Sequence, residues 1–113
     1  RDFAKMYDFI RHLGERFGYS MQLLVITLEI KDYENVYVDE KEYAMTFLEK
    51  AIQASLRSID VSTRFSGEQF LVALLNAQEA DIKSITNRIS DKFYNVYEES
   101  FIGLNYDFVD AGN

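Results

Sequence analysis

The run Gln22-Leu-Leu-Val-Ile-Thr-Leu-Glu-Ile30 constrains this chain more than any other segment. It is rich in β-branched residues and almost continuously apolar, which suits a central strand covered on both faces. Upstream, Phe3, Met6, Ile10, Leu13 and Phe17 recur at steps of three and four, the spacing of one helical face. Gly18 is placed to end that helix, and Arg16 lies in its last turn, where a cation suits the dipole.

Downstream, Asp39 precedes Glu42 in the order of a capping box. Tyr43 or Ala44, then Phe47, Leu48, Ala51, Ile52 and Leu56, carry a helix to about Ser58. Val61, Thr63 and Phe65 alternate with polar residues, and Phe70 to Leu75 is a second extended run. The short connection Ser66-Gly67-Glu68-Gln69 between them holds the glycine a tight hairpin favours. Ile82, Ile85, Ile89, Phe93 and Val96 mark a third helix. Ser100 to Phe108 reads as a last strand, with Gly103 marking a bulge or a close approach. The expected order is a helix followed by β-α-β-β-α-β. That predicts an α+β, ferredoxin-like mixed sheet with its helices on one face. Residues 1–19 form the N-terminal helix and 20–108 the core of a single domain.

Composition narrows the chemistry. With 48% hydrophobic residues the 113-residue chain can bury a core, and no apolar run is long enough to span a bilayer. No cysteine is present, which removes disulfides, thiolate nucleophiles and cysteine-ligated metal sites. His12 is the one histidine, too few for a histidine-rich metal site; it lies off the apolar stripe and is expected to be exposed. A net charge of −7 opposes nucleic acid and direct contact with an anionic membrane. The chain opens on Arg1 and lacks proline, so it is expected to be a segment of a longer polypeptide.

The most informative stretch is Arg57-Ser-Ile-Asp60-Val-Ser-Thr-Arg64-Phe65-Ser66-Gly67-Glu68-Gln69-Phe70. It resembles the signature hairpin of GGDEF domains, the diguanylate cyclase family. Ser66-Gly67-Glu68-Gln69-Phe70 stands where Gly-Gly-Asp/Glu-Glu-Phe would be, and Asp60 and Arg64 also match. The resemblance covers about residues 20–108 and implies the nucleotidyl-cyclase-like form of the βαββαβ fold. In that family two GTP-loaded domains face each other, and each 3′-hydroxyl attacks the partner's α-phosphate to give cyclic di-GMP. Phosphoryl transfer of this kind depends on carboxylates that hold Mg²⁺ over the phosphates and on a glycine-rich turn whose N–H groups approach them.

By this resemblance Glu68 is a metal carboxylate and Glu29 is the other, opening the segment Glu29-Ile30-Lys31. Lys31 reverses the charge of the family's next carboxylate. Gln69 replaces the second motif carboxylate and neither binds Mg²⁺ well nor accepts a proton at neutral pH. Ser66 adds a side chain where a phosphate should approach. Tyr37 and Val38 align with the family's guanine-reading Asn-Asp pair and lack its donor–acceptor edge. The lysine-bearing helix expected after the last strand is missing before Asn113. With that shell broken, Glu29 and Glu68 also read simply as exposed carboxylates.

Arg57 and Asp60 match the Arg-x-x-Asp with which active members bind inhibitory cyclic di-GMP. A guanidinium fork suits phosphate or a guanine edge, although Arg57 in a last helical turn and Asp60 bonding a turn N–H need no ligand. Arg64 reads as a solvated or paired strand residue. The acidic stretch Asp32 to Glu42 lacks the glycine and spacing of a calcium loop and reads as a solvated loop and helix start. The expectation is a degenerate, non-catalytic cytoplasmic bacterial signalling domain that contacts other domains of its polypeptide or a second copy, or senses cyclic di-GMP or GTP. It includes the case of the cytoplasmic part of a membrane-attached protein. The alternatives are an active diguanylate cyclase using Mg²⁺ and a ferredoxin-like regulatory domain whose hairpin resembles the family by chance.

Overall fold

The computed structural model describes residues 3–109. Its elements run α1 (Phe3–Phe17), β1 (Met21–Ile30), α2 (Val38–Ser55), β2 (Val61–Arg64), β3 (Gln69–Leu75), α3 (Glu79–Tyr94) and β4 (Ile102–Val109). The order is the expected one. The four strands lie β2-β3-β1-β4, and every ladder is antiparallel, which corrects the mixed sheet expected from sequence. β1 and β2 do run the same way across their helical crossover. β3 lies between them, however, and β1 likewise separates β3 from β4, so no two like-directed strands pair.

Period-two alternation sorts the strand residues onto two faces. Leu24, Ile26, Leu28, Phe70, Val72, Leu74 and Ile102 point to one side, where they pack with Ala44, Met45, Leu48 and Ile52 of α2 and Ile85, Ile89 and Phe93 of α3. On the other face Leu23 and Leu71 are also buried, but a groove of about 210 Å³ remains between Tyr19, Leu23, Val61, Leu71, Ala73 and Leu75. β1 is thus central as expected, while its second face is only partly covered among the described residues.

Chain reversals explain the element ends. Gly18 adopts φ +77°, and the N–H groups of Gly18 and Tyr19 return to the Gly14 carbonyl at 2.8 and 3.0 Å, closing α1 where expected. Of the apolar stripe of α1, Leu13 is half-buried and Phe17 exposed; the side chains of Phe3, Met6 and Ile10 lie outside what the structure describes. The Asp39–Glu42 capping box does not form. The helix starts at Val38, capped by Tyr37 without a side-chain bond, so Asp39 falls inside the first turn and meets the dipole there. α2 also stops at Ser55 rather than Ser58, because the Arg57 N–H turns to the Asp60 carboxylate at 2.9 Å.

α3 begins on a capping box that the spacing did not reveal, Gln78 with Asp81. Its apolar face is Ile85, Ile89 and Phe93; Val96 lies past the helix end and is exposed, and Tyr97 stacks on Phe93 with centroids 5.0 Å apart. Phe93 also meets Phe47 and Tyr94, so it joins α2 to the α3–β4 connection. Phe93→Ala is expected to cost about 3–5 kcal/mol, read as a lowered midpoint in urea unfolding followed by circular dichroism.

Candidate functional site

Two central ladders fix where the hairpin sits. The β1–β3 register ends at Thr27 opposite Gln69, and the Leu28 N–H donates to the Glu68 carbonyl at 2.8 Å. Gln69 Nε2 also donates to Thr27 Oγ1 at 3.2 Å. The connection Phe65–Glu68 therefore stands beside the end of β1. Between them opens a hollow of about 670 Å³ whose wall includes Thr27, Glu29, Lys31, Lys41, Glu68 and Gln69.

The turn spends most of its polar groups on itself. The N–H groups of Phe65 and Ser66 donate to the Gln69 carbonyl at 2.8 and 3.3 Å. Ser66 Oγ donates to Gln69 Oε1 at 3.0 Å and accepts the Glu68 N–H at 3.3 Å. Arg64 reaches over the turn, its Nε donating to the Ser66 carbonyl at 3.2 Å and its Nη2 to the Gly67 carbonyl at 3.0 Å, while Nη2 also meets Glu42 at 3.3 Å. Arg64 is thus a paired strand residue that braces the hairpin to α2. Gly67 is not in the left-handed region, and the nearest atom to a Cβ built there is Lys41 Nζ at 3.8 Å, so neither backbone nor space demands glycine.

Charge at the hollow is set by residues far apart in the chain. Lys41, in the first turns of α2, forms an ion pair with Glu68. Lys31 lies along β4: a Cβ on Gly103 would come within 2.4 Å of its Cε and 2.9 Å of its Nζ. Gly103 is therefore the close approach expected there. Glu29 is exposed on the same face of β1, two residues before Lys31. Tyr37 and Val38 are exposed and do not line the hollow. These donors do not fit the Mg²⁺ that the resemblance implies. One of the two carboxylates is already neutralised by an ammonium, Gln69 is an amide, and no group of three or more potential metal ligands occurs among the described residues.

Arg57 and Asp60 meet each other away from the hollow. Arg57 Nε and Nη2 each donate to Asp60 at 2.9 Å, a bidentate pair, and Nη2 also donates to the Leu75 carbonyl at 2.8 Å. The Asp60 side chain is fully buried and accepts the N–H groups of Arg57 and Leu75 as well. Burial pushes its carboxyl up, but the Arg57 hydrogen bonds and charge and those N–H groups outweigh burial and hold it below the ordinary value. Elsewhere, Asp32 caps its own turn through the Glu34 N–H at 3.2 Å and the Asn35 amide at 2.6 Å, as a solvated loop would, and His12 is exposed. Nothing local to α2 marks Lys41 or Glu42 as partners of the hairpin, because Glu68 and Arg64 lie 27 and 22 positions away.

No protein-family model and no curated protein matches the sequence. Solved structures do. The diguanylate cyclase SiaD of Pseudomonas aeruginosa, in complex with its activator SiaC, superposes with a TM-score of 0.69 at 18% identity, over 96% of this chain and 45% of that one. A diguanylate cyclase protein from Thermotoga maritima gives 0.67 at 15% identity, over 95% of this chain and 74% of its own. The active GGEEF domain of a diguanylate cyclase from Vibrio cholerae gives 0.66 at 16%, over 96% and 74%. The chain therefore has the fold of GGDEF diguanylate cyclase domains and spans less than half of the first of these proteins.

Removing Arg57 leaves Asp60 charged, buried and short of its main partner, so Arg57→Ala is expected to lower unfolding stability by about 3 kcal/mol. Because the folded carboxyl sits below its ordinary value, the pair's contribution is complete above about pH 4 and is lost as pH falls further. The stability difference between the wild type and Asp60→Asn, from urea midpoints, should be flat from neutral pH to that point and shrink below it. Gly67→Ala should leave the midpoint within about 0.5 kcal/mol.

Proposed function

We propose that this chain is a degenerate GGDEF-type signalling module of cyclic di-GMP pathways, non-catalytic, acting through protein contact and nucleotide sensing. What carries the reading is the Lys41–Glu68 ion pair beside the Gln69 amide. Cyclisation needs metal-held phosphates and a base-side carboxylate at the hairpin. Here one carboxylate has a tethered cation as its partner, and the next position is an amide. The turn's own hydrogen bonds leave few N–H groups for a phosphate to meet.

The fold kept around that altered shell supports a regulatory role, since scaffold and chemistry are separable. SiaD was solved with its activator, which supports contact with protein partners, whether other domains of the same polypeptide or a second copy of this chain. No helix among the described residues is long and apolar enough to cross a membrane, in keeping with a cytoplasmic module. Nucleotide sensing in this reading belongs to the hollow. The Arg57 fork is engaged by Asp60 and Leu75, so cyclic di-GMP would have to displace bonds that hold the α2–β2 turn.

The active-cyclase reading rests on Glu29 and Glu68 lining one hollow, and a single experiment separates the two. Incubation with GTP and Mg²⁺, followed by chromatography of the nucleotides, is expected to yield no cyclic di-GMP. Gln69→Glu should not restore it, because Lys41 still holds Glu68. Product from the wild type that disappears in Glu68→Ala overturns the proposal.

A further inference from the structure

We propose that the surface where α2, α3 and the α3–β4 connection meet pairs with the same surface of a second copy, through two clefts of opposite charge. This rests on the protein-contact reading above and names its partner and its surface. The clefts adjoin at Val96, which lines both and is 59% exposed. One, of about 400 Å³, carries the carboxylates Glu40 and Glu98 and no cation. The other, of about 350 Å³, carries Lys50 and Lys92 and no carboxylate.

Local structure builds this surface and leaves it open. The N–H groups of Val96 and Tyr97 return to the Phe93 carbonyl at 3.1 and 3.0 Å, in a turn just past the end of α3. Tyr97 stacks on Phe93 and meets the Phe47 ring at 6.0 Å, while its neighbour Val96 stays exposed. Glu40 and Lys50 both belong to α2, about 15 Å apart along its axis, so one helix carries both signs. None of the four charged groups has an ion-pair partner among the described residues.

A surface with both signs side by side is complementary to itself. A two-fold axis at Val96 sets the lysine cleft of one copy against the carboxylate cleft of the other, twice, and brings the two valines together at the centre. The lysine side chains then enter clefts that suit both of their parts, the carboxylates for the ammonium and Tyr97 and Phe101 for the apolar stem. The charges lining this surface cancel, two carboxylates against two lysines, whereas the whole chain carries −7 and repels a second copy elsewhere.

Sedimentation equilibrium over a range of concentrations reads the association. The mass is expected to rise from 13.2 kDa toward twice that value as concentration increases, and to rise less at high salt. Lys50→Glu with Lys92→Glu makes both clefts acidic, and Glu40→Lys with Glu98→Lys makes both basic. Each double variant by itself should associate at least about tenfold more weakly than the wild type. Mixed in equal amounts, the two should pair with each other, because acidic clefts then meet basic ones. Thermal unfolding followed by circular dichroism checks that each variant is folded.

A chain that stays at 13.2 kDa, association that either double variant leaves intact, or a mixture that does not recover it overturns the proposal. None of these results bears on catalysis. Cyclic di-GMP in the GTP incubation would overturn the non-catalytic reading and leave the dimer surface standing, so the two failures are distinct.

Discussion

The pairing of β1 with β3 is the constraint on which the molecule depends. Seven residue pairs, from Met21 with Leu75 to Thr27 with Gln69, hold the two central strands antiparallel. This pairing sets β3 beside β1, and with the β2–β3 hairpin and the β1–β4 ladder also antiparallel, no like-directed strands are neighbours. It also delivers the hairpin to the end of β1, where the Thr27–Gln69 side-chain bond closes the ladder. A slip of one residue would turn the core face of β3 outward and carry Glu68 away from the hollow.

At that junction the α2 start and the hairpin meet through two oppositely signed contacts. Lys41 meets Glu68, and its neighbour Glu42 meets Arg64. Exposed pairs of this kind contribute only about 0–1 kcal/mol each. Their importance is chemical: one cancels the charge of a hairpin carboxylate, and the other aims a guanidinium at the turn's carbonyls. Stability at the neighbouring turn comes instead from Arg57 and Asp60, because there the carboxylate is fully buried and every bond to it replaces lost water.

Much of the fold was legible along the chain. Gln22 to Ile30 announced a central strand, and Ile85, Ile89 and Phe93 announced the inner face of α3 through spacing alone. Gly18 reads as a helix stop, and Gly103 as a bulge or a close approach, of which the structure shows the close approach, because a glycine's lack of Cβ is a local property. The misses share another cause. Asp39 and Glu42 have capping-box spacing, but the helix begins two residues earlier, on Tyr37 as its cap, and α2 ends early because Asp60 draws in the Arg57 N–H. Each depends on which backbone group wins a bond, and spacing does not record that competition.

The site divides along the same line. The loss of a motif carboxylate at Gln69, the charge reversal at Lys31 and the Arg57-x-x-Asp60 arrangement follow from residue identities. That Lys41 would hold Glu68, that Arg64 would brace the turn, and that Arg57 and Asp60 would bind each other follow from folding. Side-chain chemistry is written position by position, so type and local period can be read in order. Partnership across 27 residues exists only once a sheet register and a helix packed on it bring two side chains within reach.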